Sequence, residues 1–146
     1  MQLFVVDSIA SPSAPTVAEI TAGSEVTGEL ISLATPLDGD AVASNDMSSA
    51  FNKSIEGTYG GGATAVFYRD AAAETAYGLL PRSTETHLVL ARFGFTGGTP
   101  TIADTCEVWP VRVITRSPAD LVSNTPQQFT VNLATTDEPT LAATVA

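Results

Sequence analysis

The sequence predicts a mainly β fold with one short flanking helix, and three observations carry that prediction. In Gln127–Pro139, Phe129, Val131 and Leu133 alternate with Thr130, Asn132 and Ala134, the period of two expected of a strand. Two longer apolar runs, Thr86–Phe93 and Thr105–Arg116, flank the reversal Gly94–Asp104, whose glycines and proline suit a change of chain direction. In the first run Leu88 and Leu90 point one way and His87, Val89 and Ala91 the other, so both faces are apolar. A sheet of that kind needs cover on both sides, from a second sheet, a helix or a neighbouring subunit.

From the N-terminus, Met1–Pro15 holds a possible short strand, LFVV. Two prolines among small polar residues then mark an extended arm. In Thr16–Leu33, VAEI leads to a turn at Thr21–Ser24 and a strand in which Glu25, Thr27 and Glu29 alternate with Val26, Gly28 and Leu30. Glu25 and Glu29 would then share one wet face, turned to solvent or to a channel. The longest polar loop is Thr35–Ser49. Its Asp38, Asp40, Asn45, Asp46 and Met47 are candidates for a contact between subunits, because a long irregular loop inside a compact domain needs a reason.

Farther on, Gly60–Gly62 reads as a turn or bulge between strands. Asp70–Leu80 is the helix, with Asp70 as N-cap, three alanines of high helix propensity, and Pro81 as its stop. The candidate core or interface residues are Leu88 and Leu90, Trp109 and Val111, and Phe129, Val131 and Leu133. The domain spans residues 16–139, and residues 140–146 read as a frayed tail or minor contact segment.

The 146 residues suffice for one domain with a sizeable core. Hydrophobic residues make up 44% and charged residues 15%, so much of the surface is Ser, Thr, Ala and Gly, which is cheap to bury against other protein. Sixteen acidic against six basic residues give a formal charge of −10, and Met1–Ala50 has seven acids and no Lys or Arg. Such a surface repels a phosphate backbone and lacks the cations that drive counterion release, so tight nucleic-acid binding is disfavoured. The N-terminus has no basic region and too short an apolar run for a signal peptide, and no stretch approaches the length of a membrane span. The expectation is a cytoplasm-made product with no membrane partner.

Catalytic constellations are missing from the sequence. Cys106 is the sole cysteine and His87 the sole histidine, which removes an intrachain disulfide and leaves zinc short of ligands. Asp38, Asp40 and Asp46 fail the EF-hand spacing: Val42 stands where an acid or Asn is needed, and no Glu closes the loop. The three glycines lack the lysine and helix of a phosphate-binding loop. A Cys106–His87 dyad would need a cationic setting that the strand does not offer. Trp109 beside Pro110 fits a core or an interface better than a sugar platform. No enzyme, metal or cofactor is expected.

APTVAEITAG at Ala14–Gly23, LVLARFG at Leu88–Gly94, CEVWPVRV at Cys106–Val113 and the terminal Asn124–Ala146 together resemble the major tail (tail tube) proteins of long non-contractile-tailed bacteriophages of actinobacteria. Val108, Pro110, Val111 and Val113 carry the family's pattern, and the resemblance covers nearly all the chain. It implies two packed antiparallel sheets, as a sandwich or partial barrel, with a short flanking helix. Six copies would form a ring, and stacked rings would form a tube in the virion tail through which DNA passes without tight binding. Glu25 and Glu29 become candidates for the lumen. The residue 35–49 loop becomes a contact between subunits, and tail-terminator, tail-tip and tape-measure proteins become partners. The competing expectation is a β-sandwich binding module, for decoration, adhesion or a bacterial surface, that does not polymerise.

Overall fold

The computed structural model describes residues 1–44, 50–69 and 75–146. In chain order these form β1 (Gln2–Val6), α1 (Val17–Ala22), β2 (Ser24–Glu25), a 3-10 turn (Thr27–Glu29), β3 (Leu30–Ala34), β4 (Leu37–Ala43) and β5 (Ser54–Tyr68). There follow α2 (Thr75–Leu79), β6 (Glu85–Ala91), a 3-10 turn (Thr96–Gly98), β7 (Thr105–Pro118), β8 (Gln128–Thr135) and β9 (Thr140–Thr144). All strand pairs are antiparallel, in the order β2-β1-β6-β7-β8-β5-β3, with β4 also on β5 and β9 also on β7.

One sheet stands where two packed sheets are expected. Its curvature follows from chain connectivity. Laid flat, the seven strands of the main path would hold β2 and β3 about 29 Å apart, at ~4.8 Å per neighbouring pair. Glu25 and Leu30 are five Cα steps apart and can span at most about 18 Å. The sheet therefore curls until its two ends approach. Val26 N donates to Leu3 O at 2.9 Å, continuing the β1–β2 pairing, and Leu3 N donates to Thr27 Oγ1 at 2.9 Å, which ties β1 to the turn that leads into β3.

The curl wraps an inner cluster. Leu3 and Val5, Leu88 and Leu90, Trp109 and Val111, Phe129 and Val131, and Ala65 and Phe67 meet there from five strands, with Ala76 and Leu80 closing one end. The Phe67 and Phe129 rings stack at 5.4 Å, and Tyr77 meets Phe129 edge-on at 5.1 Å. Val89, Ala91, Cys106 and Val108 turn outward instead, into a second cluster roofed by Ile20 of α1 and by Ala143 and Val145. This is the two-sided burial that the central hairpin called for, with a helix and a terminal strand as outer cover.

Several segments differ from expectation. Residues 2–6 are not part of an arm: Leu3, Phe4, Val5 and Val6 are all buried, because β1 lies between β2 and β6 and packs on both faces. The 140–146 segment is not frayed: β9 pairs with β7, and Ala146 N donates to Pro15 O at 2.9 Å. The strand expected through Glu25 and Glu29 is broken by the 3-10 turn, and VAEI is helical. There Thr16 caps α1, accepting from Glu19 N at 3.2 Å while Thr16 N donates to Glu19 Oε2 at 2.8 Å. Of the expected 70–80 helix, Thr75–Leu79 is helical, and Asp70 lies outside the described residues.

The turn joining β6 and β7 is organised by one carboxylate. Asp104 accepts from Thr96 Oγ1 at 2.6 Å, Thr101 Oγ1 at 2.7 Å, Thr101 N at 3.0 Å and Thr96 N at 3.3 Å. The threonine hydroxyls, Thr96 first, hold its pKa down to about 2, from an ordinary 3.8. Since the folded-state value is the lower one, the contribution is complete above about pH 4 and is lost as pH falls through about 2. The Thr96 and Thr101 amides should accordingly exchange faster with solvent on acidification across that window, after correction for intrinsic rates. Asp104→Asn should abolish the pH dependence; its persistence in the variant would assign it to another group.

Candidate functional site

The segment expected as the longest polar loop is in its described part a strand. Ser24–Ala34 brings the chain to β5, the pairing is interrupted at Thr35–Pro36, and β4 continues along the same edge of β5 in the direction of β3. Val42 lies opposite Ile55, Ala41 opposite Glu56, and Gly39 opposite Tyr59, with a register shift between Gly39 and Ala41. Asp38 and Asp40 are therefore on β4. Asn45, Asp46 and Met47, the rest of the expected contact loop, lie outside the described residues.

Gly60–Gly62 is likewise not a turn between strands, because β5 runs unbroken through it. Two of these glycines are required by close approach. A Cβ on Gly61 would stand 2.6 Å from Leu37 Cδ2 and 2.9 Å from Pro36 O, and one on Gly62 would stand 2.9 Å from Leu133 O. They occupy the point where β5 leaves the main sheet: pairing with β8 begins at Gly62–Ala134, and below it Ser54–Gly61 pairs with β4 alone. Those eight residues project about 26 Å.

The result is a two-stranded hairpin exposed along its length. Every residue of β4 is exposed, and among the apolar side chains Val42 is 51% and Ile55 59% exposed. A lone hairpin in water is marginally stable, and an apolar cross-strand pair on it gains stability when another surface covers it. Its described arms carry Asp38, Asp40 and Glu56 against Lys53, so an approaching surface would meet two net negative charges. Acids on the β4 edge also discourage indiscriminate edge-to-edge pairing.

The candidate lumen acids occupy separate settings. Glu25 is on the two-residue β2 and accepts weakly from Gln2 Nε2 at 3.5 Å. Glu29 ends the 3-10 turn, and its Oε2 accepts from Ala76 N at 3.0 Å, so it also secures α2. Leu88, Leu90, Trp109, Val111, Phe129, Val131 and Leu133 all lie in the inner cluster. Trp109 Nε1 donates to Glu107 Oε2 at 3.0 Å, and Glu107 in turn takes the Arg92 guanidinium, whose Nη2 reaches Thr35 Oγ1 at 3.3 Å. This polar chain at the mouth of the inner cluster links the exit of β3 to β6 and β7, and pattern reading did not find it.

The strands do not assemble a catalytic dyad. His87 sits across from Pro110, four residues along β7 from Cys106, a separation of about 13 Å. Burial first, then the Asp104 and Glu107 charges, push the Cys106 thiol up to about 11, which keeps it protonated and unreactive. Among the described residues no group of three or more His, Cys, Asp or Glu is placed to hold a metal ion. Nor is any described helix long and apolar enough to cross a membrane.

Comparison with solved structures finds a similar fold in chains of gene transfer agent particles. A chain of the "Virion of native gene transfer agent (GTA) particle" superposes with a TM-score of 0.59 at 10% identity, covering 97% of this chain and 95% of its own. A chain of the "Tail of empty GTA particle computed with helical refinement, C6 symmetry" gives a TM-score of 0.57 at 10% identity, covering 97% and 96%. No curated protein matches the sequence. The family described as "Phage tail tube protein" matches residues 1–146, the whole chain. With a curled single sheet, an exposed hairpin and no assembled catalytic group among its described residues, this chain belongs to the phage tail tube protein family, whose members are structural rather than catalytic.

Proposed function

We propose that the chain is the repeating wall unit of a phage tail tube and that it assembles by burying its β4–β5 hairpin against further copies of itself. The observation that carries this reading is the hairpin: its described strands project from the sheet largely exposed, with Val42 opposite Ile55 and both more than half exposed. A monomer gains nothing from such an element, whereas an assembly subunit uses it as a contact. Rings of six stacked into a tube are the arrangement we infer, in the tail of a long non-contractile-tailed phage of an actinobacterial host. The repeated contact would be heterologous, one surface of each copy meeting a different surface of the next.

DNA would pass through the bore without tight binding, given the formal charge of −10. Glu25 and Glu29 are the proposed lumen acids, and Glu25 is the cleaner probe of the two because Glu29 also holds Ala76. Tail-terminator, tail-tip and tape-measure proteins would meet the two ends and the bore of the tube.

Negative-stain microscopy of the purified full chain over a range of concentration and salt is the direct test. Rings or tubes with a central channel are the expected result. A monomer at every concentration would overturn the reading in favour of a binding module that works singly.

A further inference from the structure

The root of the hairpin combines a pivot with a brace. Gly61 and Gly62 are hemmed in by Leu37, Pro36 and Leu133, but around Gly60 no atom lies within 4 Å of the position a Cβ would take. Packing in this chain does not demand glycine there. What glycine supplies is backbone freedom, placed one residue outside the point where β5 becomes locked to the sheet. Directly beyond it, Tyr59 Oη donates to Glu138 Oε1. Glu138 belongs to the turn between β8 and β9, and that turn is fixed to the sheet by Thr136 N donating to Pro110 O at 3.0 Å. The bond thus runs from the projecting arm to a fixed post.

From this geometry we infer that Tyr59 and Glu138 brace the hairpin across a Gly60 pivot, as a positioning pair that sets the direction in which the hairpin meets a second copy of this chain. The consequence for assembly rests on the self-association reading; the brace itself does not. The hydrogen bond to the carboxylate also raises the Tyr59 pKa, as expected for a phenol that is donating to an anion. Both groups are exposed, so the bond works by restricting direction and leaves the domain's stability to its core.

Hydrogen exchange on the full chain, kept dilute enough to remain unassembled, tests this. In Tyr59→Phe and in Glu138→Ala, amides of residues 55–58 should exchange roughly fivefold faster, the effect of losing one net hydrogen bond. Amides of β6 and β7 should not change. Glu138→Gln keeps an acceptor and should fall between wild type and Glu138→Ala. The double variant Tyr59→Phe with Glu138→Ala should match either single variant, because one bond is lost in all three. Gly60→Ala, which has room for its methyl group, should restore part of the protection lost in Tyr59→Phe. Unchanged exchange in the single variants, or additive effects in the double, would overturn the brace. Failure of the wild-type chain to form tubes would remove its role in assembly and leave the exchange result standing.

Discussion

Val42→Asp combined with Ile55→Asp is expected to give a folded chain that no longer forms tubes. Both side chains are more than half exposed in the single chain, so the substitutions remove little from its core, and the domain's stability should move by no more than about 0.5 kcal/mol. Assembly is another matter. In the tube the pair would be covered by a second copy, and burying two carboxylates without partners costs several kcal/mol per contact. At ~1.4 kcal/mol per factor of ten, the concentration needed for assembly should rise by about a thousandfold or more. Asp40 and Glu56 lie beside the altered positions and add repulsion. Circular dichroism should be unchanged while sedimentation shows the pelletable fraction gone. Tubes forming at the wild-type concentration would place the self-association surface elsewhere.

Trp109→Ala is expected to have the largest effect on the fold. Trp109 is 1% exposed at the centre of the inner cluster, and truncating a buried tryptophan costs about 3–5 kcal/mol through lost burial and the cavity left behind. Glu107 would also lose the indole donor and keep its bond to Arg92. Against the ~5–15 kcal/mol that stabilises an ordinary domain, that loss takes a large share. Thermal unfolding should show the midpoint lowered by at least about 10 °C, with Trp109→Phe between wild type and alanine. A fall of less than about 1 kcal/mol would be incompatible with a core that closes around this side chain.

How much of this could be read from the sequence depended on where the information lies. Strands buried on one face or both announced themselves: Phe129, Val131 and Leu133 in β8, and the opposed sets Leu88/Leu90 and Val89/Ala91 in β6. Short elements were decided by capping and contacts instead. The T-x-x-E of Thr16–Glu19 is a capping box and marks α1, but the apparent alternation of the next residues hid it. Glu25 and Glu29 looked like one strand face because a 3-10 turn also places polar residues at short intervals. The hairpin was hidden for a different reason. Asp38, Gly39 and Asp40 resemble loop residues, and three consecutive glycines resemble a turn, yet two of them, Gly61 and Gly62, let Leu37, Pro36 and Leu133 lie close against β5. A strand with no core to face has no apolar side to display. The single curled sheet was not legible from any local pattern, because it follows from which distant strands pair. The family resemblance pointed to a mainly β tail-tube-like chain but implied two packed sheets, where one curled sheet is found.

The pairing of β1 with β6 also sets a timetable. Leu3 pairs with Leu90 and Val6 with His87, so the first strand has only the two-residue β2 beside it until the chain has been made past residue 91. At ~5–20 residues per second, the apolar LFVV segment waits several seconds or longer at a ribosome before it can be covered. β4 and β5, and later β6 and β7, can pair as soon as each is complete, since their partners are near in sequence. The hairpin that reaches outward is thus made before the seam that closes the domain. A nascent chain presents its exposed arm while its first strand is still open on the β6 side, which puts a premium on finishing the sheet before neighbouring copies meet.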